Sequence, residues 1–372
     1  MALLDRLKSA SQAEDADLLY LMFGILANPF PAANQTSANP HRPIEADAEV
    51  EQRIVTFVRE QRSQVVVVEG TQGVGKTNFL NHFESEIRKA MGQLGGYYMV
   101  RYLADPEPSF DGTTRRIFEE LGTDHLKRLR KRLRRDNSAV SDARSQDMRT
   151  ALLRLAKSTS QYEIDLMMQW LLGLRVLKAH RLSLGVQFRL DTVESKTAAL
   201  RDIVQVSAAA GALNGLFLLL DELEKHGGVL GPTAIVRYLS ALRSVVDALP
   251  ERLFLMIGIT PDALRRYAAI LPALRGRLQN QITLEPLDDE NEALDLARFY
   301  IRTARREARR QRSKDGGETW VLSREEVTDH FEKLLAAAER VGDRGVRQRE
   351  FLHRLHELAE EKIQGVSDQG GE

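Results

Sequence analysis

The sequence predicts an α/β protein: a mostly parallel sheet flanked by helices, carrying a helical insertion and followed by a helical C-terminal packet. Three observations carry that prediction. A β-branched run, Val65-Val66-Val67-Val68, empties directly into Glu69-Gly70-Thr71-Gln72-Gly73-Val74-Gly75-Lys76-Thr77. A continuous apolar run, Leu216-Phe217-Leu218-Leu219-Leu220, ends in the adjacent carboxylates Asp221 and Glu222. Strand-like runs at 65–69, 97–103, 216–221, 253–259 and 282–284 alternate with helical stretches, as parallel strands joined by crossovers require.

In chain order, residues 1 to about 20 read as an amphipathic helix, and Asn28-Pro29-Phe30-Pro31 opens an irregular, proline-punctuated segment, so that 1–48 form a helix and entry segment. Residues 49–287 form the core, beginning with a helical run from Glu49 to Arg62. Within it, 105–210 hold several helices and no central strand, which is the insertion. Residues 288–364 read as helical, with a charged loop near Ser313-Lys314-Asp315-Gly316-Gly317. Ser323-Arg324-Glu325-Glu326 has the capping-box pattern, and Phe351, Leu352, Leu355 and Leu358 mark the apolar face of the last helix. Residues 365–372 read as a frayed tail.

The glycine-rich run has the spacing of a phosphate-binding loop. Gly70, Gly73 and Gly75 let the backbone curl with its N–H groups inward, at the positive end of the following helix. Thr71, Gln72, Val74 and Asn78 complete the segment that would surround a nucleotide, with ATP the expected one. Lys76 would reach the β- and γ-phosphates and Thr77 would offer its hydroxyl to Mg²⁺. The bland alternative is a glycine-rich turn before an ordinary helix.

The second motif supports the first. An apolar strand buried on both faces and capped by Asp221 and Glu222 has a Walker B ending. Asp221 would hold Mg²⁺ through its water shell, and Glu222 would polarise the water that attacks the γ-phosphate. The glutamate directly after the aspartate resembles the branch of P-loop ATPases with an extra strand between the two Walker strands. Tyr97–Leu103 is the candidate for that strand.

Composition narrows the class. In 372 residues, 53 Lys and Arg balance 53 Asp and Glu, so net charge alone predicts no polyanionic partner. The absence of cysteine excludes disulfides and thiolate metal sites, and the eight histidines lack paired ligand spacing, which leaves Mg²⁺ as the ion to expect. No apolar run approaches the ~20 residues of a membrane helix. Asp5, Arg6 and Lys8 interrupt the apolar N-terminus, so a cytoplasmic location is expected.

The chain resembles an AAA+ ATPase, on the side of that superfamily that contains replication-initiator, transposition-regulator and phage-defence ATPases. More narrowly, Ala208-Ala209-Ala210-Gly211-Ala212-Leu213-Asn214-Gly215-Leu216 leading into Leu220-Asp221-Glu222-Leu223-Glu224-Lys225 looks like the ATP-binding proteins of BREX-type systems. The resemblance implies that Thr260, after the strand Leu253–Ile259, is a polar sensor of the attacking water or γ-phosphate. The alternative is a residue that simply starts a turn before Pro261. It implies that Arg277, or secondarily Arg275, is the finger arginine extended into a neighbouring subunit, where a guanidinium is worth roughly 10³ to 10⁵ in rate in related chemistry, the alternative being a structural arginine on the surface. It also implies that 288–364 form a lid whose Arg349 senses the γ-phosphate. The family often has proline before that arginine, whereas Gln348 stands here, so Arg347 and Arg344 remain alternatives.

Two basic clusters bear on partners. Leu126, Leu129 and Leu133 share one helix face, and Lys127, Arg128, Arg130, Lys131, Arg132, Arg134 and Arg135 surround it. Arg302, Arg305, Arg306, Arg309, Arg310, Arg312 and Lys314 form the second cluster. Such stripes suit sequence-independent, salt-sensitive binding to DNA or RNA, against a bland alternative of solvated or acid-paired surface. The apolar run containing Tyr162, Met167, Met168, Trp170, Leu171 and Leu172 reads as core before partner surface.

The expectation is therefore an oligomerising ATPase that couples ATP hydrolysis to nucleic-acid engagement, with an effector protein from a defence or mobile-element system as a further partner. An ATP-gated scaffold that recruits an effector, with slow hydrolysis as a timer, is the alternative. A protein-remodelling motor is disfavoured because no aromatic-hydrophobic-glycine pore loop follows the second strand.

Overall fold

The computed structural model describes residues 20–32, 39–103, 110–225, 229–278, 280–311 and 320–369. The expected N-terminal helix and the place of a pore loop after the second strand fall outside these residues. In chain order the elements are α1 (Glu45–Glu60), β1 (Gln64–Gly70), α2 (Lys76–Leu94), β2 (Tyr97–Leu103), α3 (Asp111–Leu133), α4 (Gln146–Lys157), α5 (Gln161–Leu171), α6 (Lys178–Leu184) and α7 (Val193–Ala209). They continue with β3 (Gly215–Asp221), α8 (Pro232–Ala248), β4 (Leu253–Ile259), α9 (Pro261–Ile270), α10 (Pro272–Arg275), β5 (Asn280–Leu284), α11 (Glu290–Gln311), α12 (Arg324–Arg340) and α13 (Gln348–Gln369).

Contacts divide the chain into two compact units: one contains 44–69 and 82–283, the other 1–43, 70–81 and 284–372. The first is built on a sheet of order β2-β3-β4-β1-β5. The pairings β2–β3, β3–β4 and β1–β4 are all parallel. Every residue of β3 and β4 is buried, which is why both read as unbroken apolar runs rather than alternating ones. The strand between the two Walker strands is thus β4, not Tyr97–Leu103. β2 lies at the sheet edge beyond β3, because the extra strand is supplied from after the second motif rather than from between the motifs.

The insertion is helical, as expected, and shares the core of the sheet. Leu129, Met167, Trp170 and Ile203 belong to one apolar cluster with Val67, Leu218 and Leu255. The run at 162–172 is accordingly core: Met167, Trp170 and Leu171 are buried, and Trp170 Nε1 donates to the Phe188 carbonyl at 3.0 Å. Tyr162 alone of that group is well exposed. On the sheet, Phe57 of α1 packs edge-on against Phe217 with centroids 5.1 Å apart, and Phe254 joins them.

The other unit has its own core of Phe23, Ile25, Phe30, Tyr300, Phe331, Phe351 and Leu355. Residues around Asn28, read from sequence as a mere entry segment, are bound into the helical packet. Asn28 Nδ2 donates to the His356 carbonyl (3.0 Å) and to Glu360 Oε1 (2.8 Å). The capping box forms as predicted: Glu326 N donates to Ser323 Oγ at 3.2 Å and Ser323 N to Glu326 Oε2 at 2.6 Å. α13 continues past Gly365 to Gln369, since one glycine costs a helix only about 1 kcal/mol and no proline follows it.

Candidate nucleotide site

The loop after β1 and the start of α13 belong to the same unit. Lys76 opens α2 and is only 7% exposed. Its ammonium donates to the carbonyls of Gly70 (2.8 Å) and Thr71 (3.1 Å), so the buried charge is solvated by the loop itself. Gly70 is required by close approach: a Cβ there would lie 2.6 Å from Val74 Cγ2 and 2.9 Å from the Leu284 carbonyl oxygen. Gly75 is required by conformation, with φ at +107°, and a Cβ would also meet Gln348 Oε1 at 3.0 Å. Thr71 and Gln72 are exposed, Val74 is buried, and Thr77 is half-buried in the first turn of α2. Asn78 turns its amide to the Pro40 carbonyl at 3.3 Å, an interaction that ties α2 to the entry segment.

α13 abuts this loop. Arg349 N donates to the Gly73 carbonyl at 3.0 Å, and a Cβ on Gly73 would sit 3.5 Å from the Cβ atoms of Arg347 and Arg349. The Arg349 side chain is exposed, whereas Arg347 pairs with Asp343 at 3.2 Å. Gln348, standing where proline was anticipated, fills the space beside Gly75. Sequence reasoning missed this contact, for which the only signal was the departure from the family pattern.

The carboxylates lie in the other unit, at the carboxyl edge of the sheet. Leu220 pairs with Ile257 and Glu69 with Ile259, so Asp221 and Thr260 emerge at the same edge. Asp221 is fully buried. One of its oxygens receives Arg101 Nη2 at 2.7 Å and the other the backbone N–H of Glu222 at 2.9 Å. Arg101, on β2, also lies 3.7 Å from Glu84. Glu222 adopts a left-handed backbone (φ +56°) and pairs with Lys225 at 2.5 Å. Tyr267 of α9 donates its hydroxyl to the Leu223 carbonyl at 2.9 Å, which pins the turn that follows. Thr260 is half-buried and precedes α9 without its side chain capping that helix. Arg101 and Lys225 were not singled out from sequence. A lone arginine in an edge strand and a lysine three residues past a glutamate carry no distinguishing pattern.

Arg277 Nε pairs with Asp247 Oδ1 at 2.8 Å on the surface, while Arg275 is exposed and has no partner among the described residues. The basic stretch of α3 is not one uniform face. Lys127 pairs with Asp124 (2.8 Å) and Arg130 donates to the Ser160 carbonyl (3.1 Å). Arg128, Lys131, Arg132 and Arg135 instead line one groove, and Arg134 is exposed. On α11, Arg302, Arg306 and Arg310 are exposed, but Arg305 donates to the Phe23 carbonyl at 3.1 Å and stacks over Trp320 at 5.0 Å. Arg312 and Lys314 fall outside the described residues.

A glycine loop after β1, β4 between the two motif strands and a carboxylate pair at the tip of β3 define an α/β P-loop fold. No family model matches the chain, and no curated protein matches it. Among solved structures it is similar to the ORC2 protein of Aeropyrum pernix in its ADP form (13% identity, 90% of this chain and 73% of that one, TM-score 0.40). It is also similar to Cdc6p of Pyrobaculum aerophilum (14% identity, 84% and 67%, TM-score 0.39). A third is a Walker-type ATPase of Pyrococcus abyssi (14% identity, 94% and 79%, TM-score 0.34). Among the described residues no helix is long and apolar enough to cross a membrane.

Proposed function

We propose that the chain is an oligomerising AAA+ ATPase that binds and hydrolyses ATP with Mg²⁺ and couples turnover to nucleic acid, DNA foremost. The observation that carries the reading is Lys76. A buried ammonium that donates to the Gly70 and Thr71 carbonyls gains a stronger, charge-assisted partner when phosphate enters. Gly70 to Asn78 bind the phosphates, Arg349 reads the γ-phosphate, and 288–364 act as the lid. Glu222 orients and deprotonates the attacking water, Thr260 positions it, and Arg277 leaves Asp247 to complete a neighbouring subunit's site.

The donor set fits Mg²⁺: a hydroxyl at Thr77 and a carboxylate at Asp221 are hard oxygen ligands of the kind that ion takes beside phosphate and water. Both Asp221 oxygens are engaged but retain acceptor capacity, which suits a contact through water. When bound, Mg²⁺ would neutralise charge on the phosphates. Arg134 and the exposed arginines of α11 would meet nucleic-acid phosphates. An antiphage-defence or mobile-element setting of BREX type, in the cytoplasm and with an effector partner, extends this reading.

A second reading, an ATP-gated scaffold with slow hydrolysis as its timer, is favoured by one observation. The metal-binding and the catalytic carboxylate are each held by a cation of the chain itself, Asp221 by Arg101 and Glu222 by Lys225. Steady-state ATP hydrolysis across protein concentration, with and without duplex DNA at low and high salt, separates the two. Specific activity that rises with concentration and DNA supports the first reading. Tight ATP binding with near-zero turnover indifferent to DNA supports the scaffold, and absent ATP binding overturns both.

A further inference from the structure

At the amino end of the sheet, opposite the Asp221 edge of the same unit, a groove of about 380 Å³ is lined by Arg128, Lys131, Arg132 and Arg135. Gly96, Gly211, Ala212 and Asn214 form the rest of its wall. The cations are placed by helix geometry. Residues 128, 131 and 132 stand at i, i+3 and i+4 on α3, and Arg135 follows in the turn that closes it, where its N–H bonds the Arg132 carbonyl at 3.0 Å. The leucines at 126, 129 and 133 take the buried face, so the same amphipathic pattern that anchors the helix turns this stripe outward.

Three features distinguish the groove from ordinary solvated surface. First, no acidic residue lines it, and the side chains of Lys131, Arg132 and Arg135 have no partner among the described residues. Nearby acids are committed elsewhere: Asp124 to Lys127, and Asp136 to the backbone N–H of Ser138 at 2.9 Å. Second, Arg128 is pre-oriented. Its guanidinium donates to the Tyr98 hydroxyl and lies 5.6 Å from that ring's centroid. Tyr98 in turn bonds His125 Nδ1 at 2.7 Å, and His125 Nε2 bonds Ser207 Oγ at 2.9 Å, a buried chain that fixes the charge in place. Third, the charge exceeds what the helix itself asks for, since a helix C-terminus carries only about half an elementary negative charge.

We propose that this groove is a second anion site, distinct from the loop at Gly70 to Thr77, that binds a compact ligand bearing two or more adjacent phosphate groups. The cations extend over only about 10 Å of helix, and the volume lies near the small end of ligand pockets, about 300 to 1,000 Å³. Three guanidiniums match phosphate oxygens bidentately, and four positive charges in one concavity call for more than one negative group. A short polyphosphate meets all of these at once, whereas a duplex backbone distributes its phosphates along a longer track.

Amine acylation read by mass spectrometry tests it site by site, because Lys131 lies in the groove and Lys127, one turn away and paired, does not. Inorganic tripolyphosphate should slow acylation of Lys131 at least tenfold and leave Lys127 unchanged, and the Arg132→Ala, Arg135→Ala double variant should lose the protection. Equal protection of both lysines, or of neither, overturns the proposal. A 5′-phosphorylated single-stranded oligonucleotide, compared with its 5′-hydroxyl form, distinguishes a free polyphosphate from a phosphorylated nucleic-acid end. Protection by either oligonucleotide that matches or exceeds protection by tripolyphosphate would overturn the compact-ligand assignment. Duplex DNA in the same assay reports separately on the nucleic-acid reading. Protection of both lysines by duplex with none by tripolyphosphate sinks the groove and keeps that reading, and the reverse pattern does the opposite.

Discussion

Arg101 Nη2 lies 2.7 Å from Asp221 Oδ2, and the aspartate is fully buried. Burying a carboxylate beside a guanidinium makes each the other's partner, so removing the arginine leaves the aspartate at the tip of β3 without one. Arg101→Met should therefore destabilise the protein by about 3 kcal/mol in the presence of a chelator, read by urea denaturation. Mg²⁺ should restore part of that loss in Arg101→Met and none of it in Arg101→Met with Asp221→Asn. Equal behaviour of the two variants would show that Asp221 takes no part in binding Mg²⁺.

Glu222 stands in a left-handed backbone that costs a non-glycine residue roughly 1–2 kcal/mol, and its surface pair with Lys225 returns less than about 1 kcal/mol. The backbone strain and the carboxylate can be separated by substitution. Glu222→Gly should raise stability by about 1 kcal/mol and abolish turnover. Glu222→Gln should keep ATP binding, measured by calorimetry, and also lose turnover. Normal hydrolysis by the Gln variant would mean that the base lies elsewhere.

Sequence was most informative where the backbone itself is constrained. The strand bounds 97–103 and 253–259, the Ser323–Glu326 capping box and the helical character of the insertion all appear as anticipated, because each follows from a local pattern of burial or hydrogen bonding. Strand order was less legible: the edge position of β2 depends on pairing across more than a hundred residues, which local pattern does not encode. The Arg101–Asp221 and Gln348–Gly75 contacts were invisible for the same reason. The role of Asn28 in anchoring residues near the N-terminus to α13 spans |i−j| separations of 328 and 332.

Gly75 meets two constraints at once, and they can be separated. Gly75→Ala places a side chain at φ +107° and within 3.0 Å of Gln348 Oε1. ATP affinity should fall at least tenfold, with a stability loss of about 1–3 kcal/mol. Adding Gln348→Ala removes the contact but not the backbone strain, so it should recover only part of either loss. Full recovery would show that crowding by α13, not conformation, makes glycine necessary there.

His125 supplies a pH signature. It is completely buried between Tyr98 and Ser207, and burial, aided by the Arg128 charge, lowers its pKa from 6.5 to about 4. Below about pH 6.5 the unfolded chain takes up a proton that the folded chain refuses, so stability falls with decreasing pH until the folded histidine also titrates near 4. Above 6.5 both states are neutral and the group contributes no slope. The shift amounts to about 3 kcal/mol in full, most of it lost by about pH 4.5. Urea denaturation of wild type and His125→Gln across this range isolates the effect from the carboxylates that titrate alongside. The variant should be less stable at neutral pH, because glutamine cannot replace both hydrogen bonds, yet its stability should decline less steeply between pH 6.5 and 4. Parallel decline in the two proteins would show that His125 is accessible to protons in the folded state, and that the chain orienting Arg128 is not held in a fixed, neutral form.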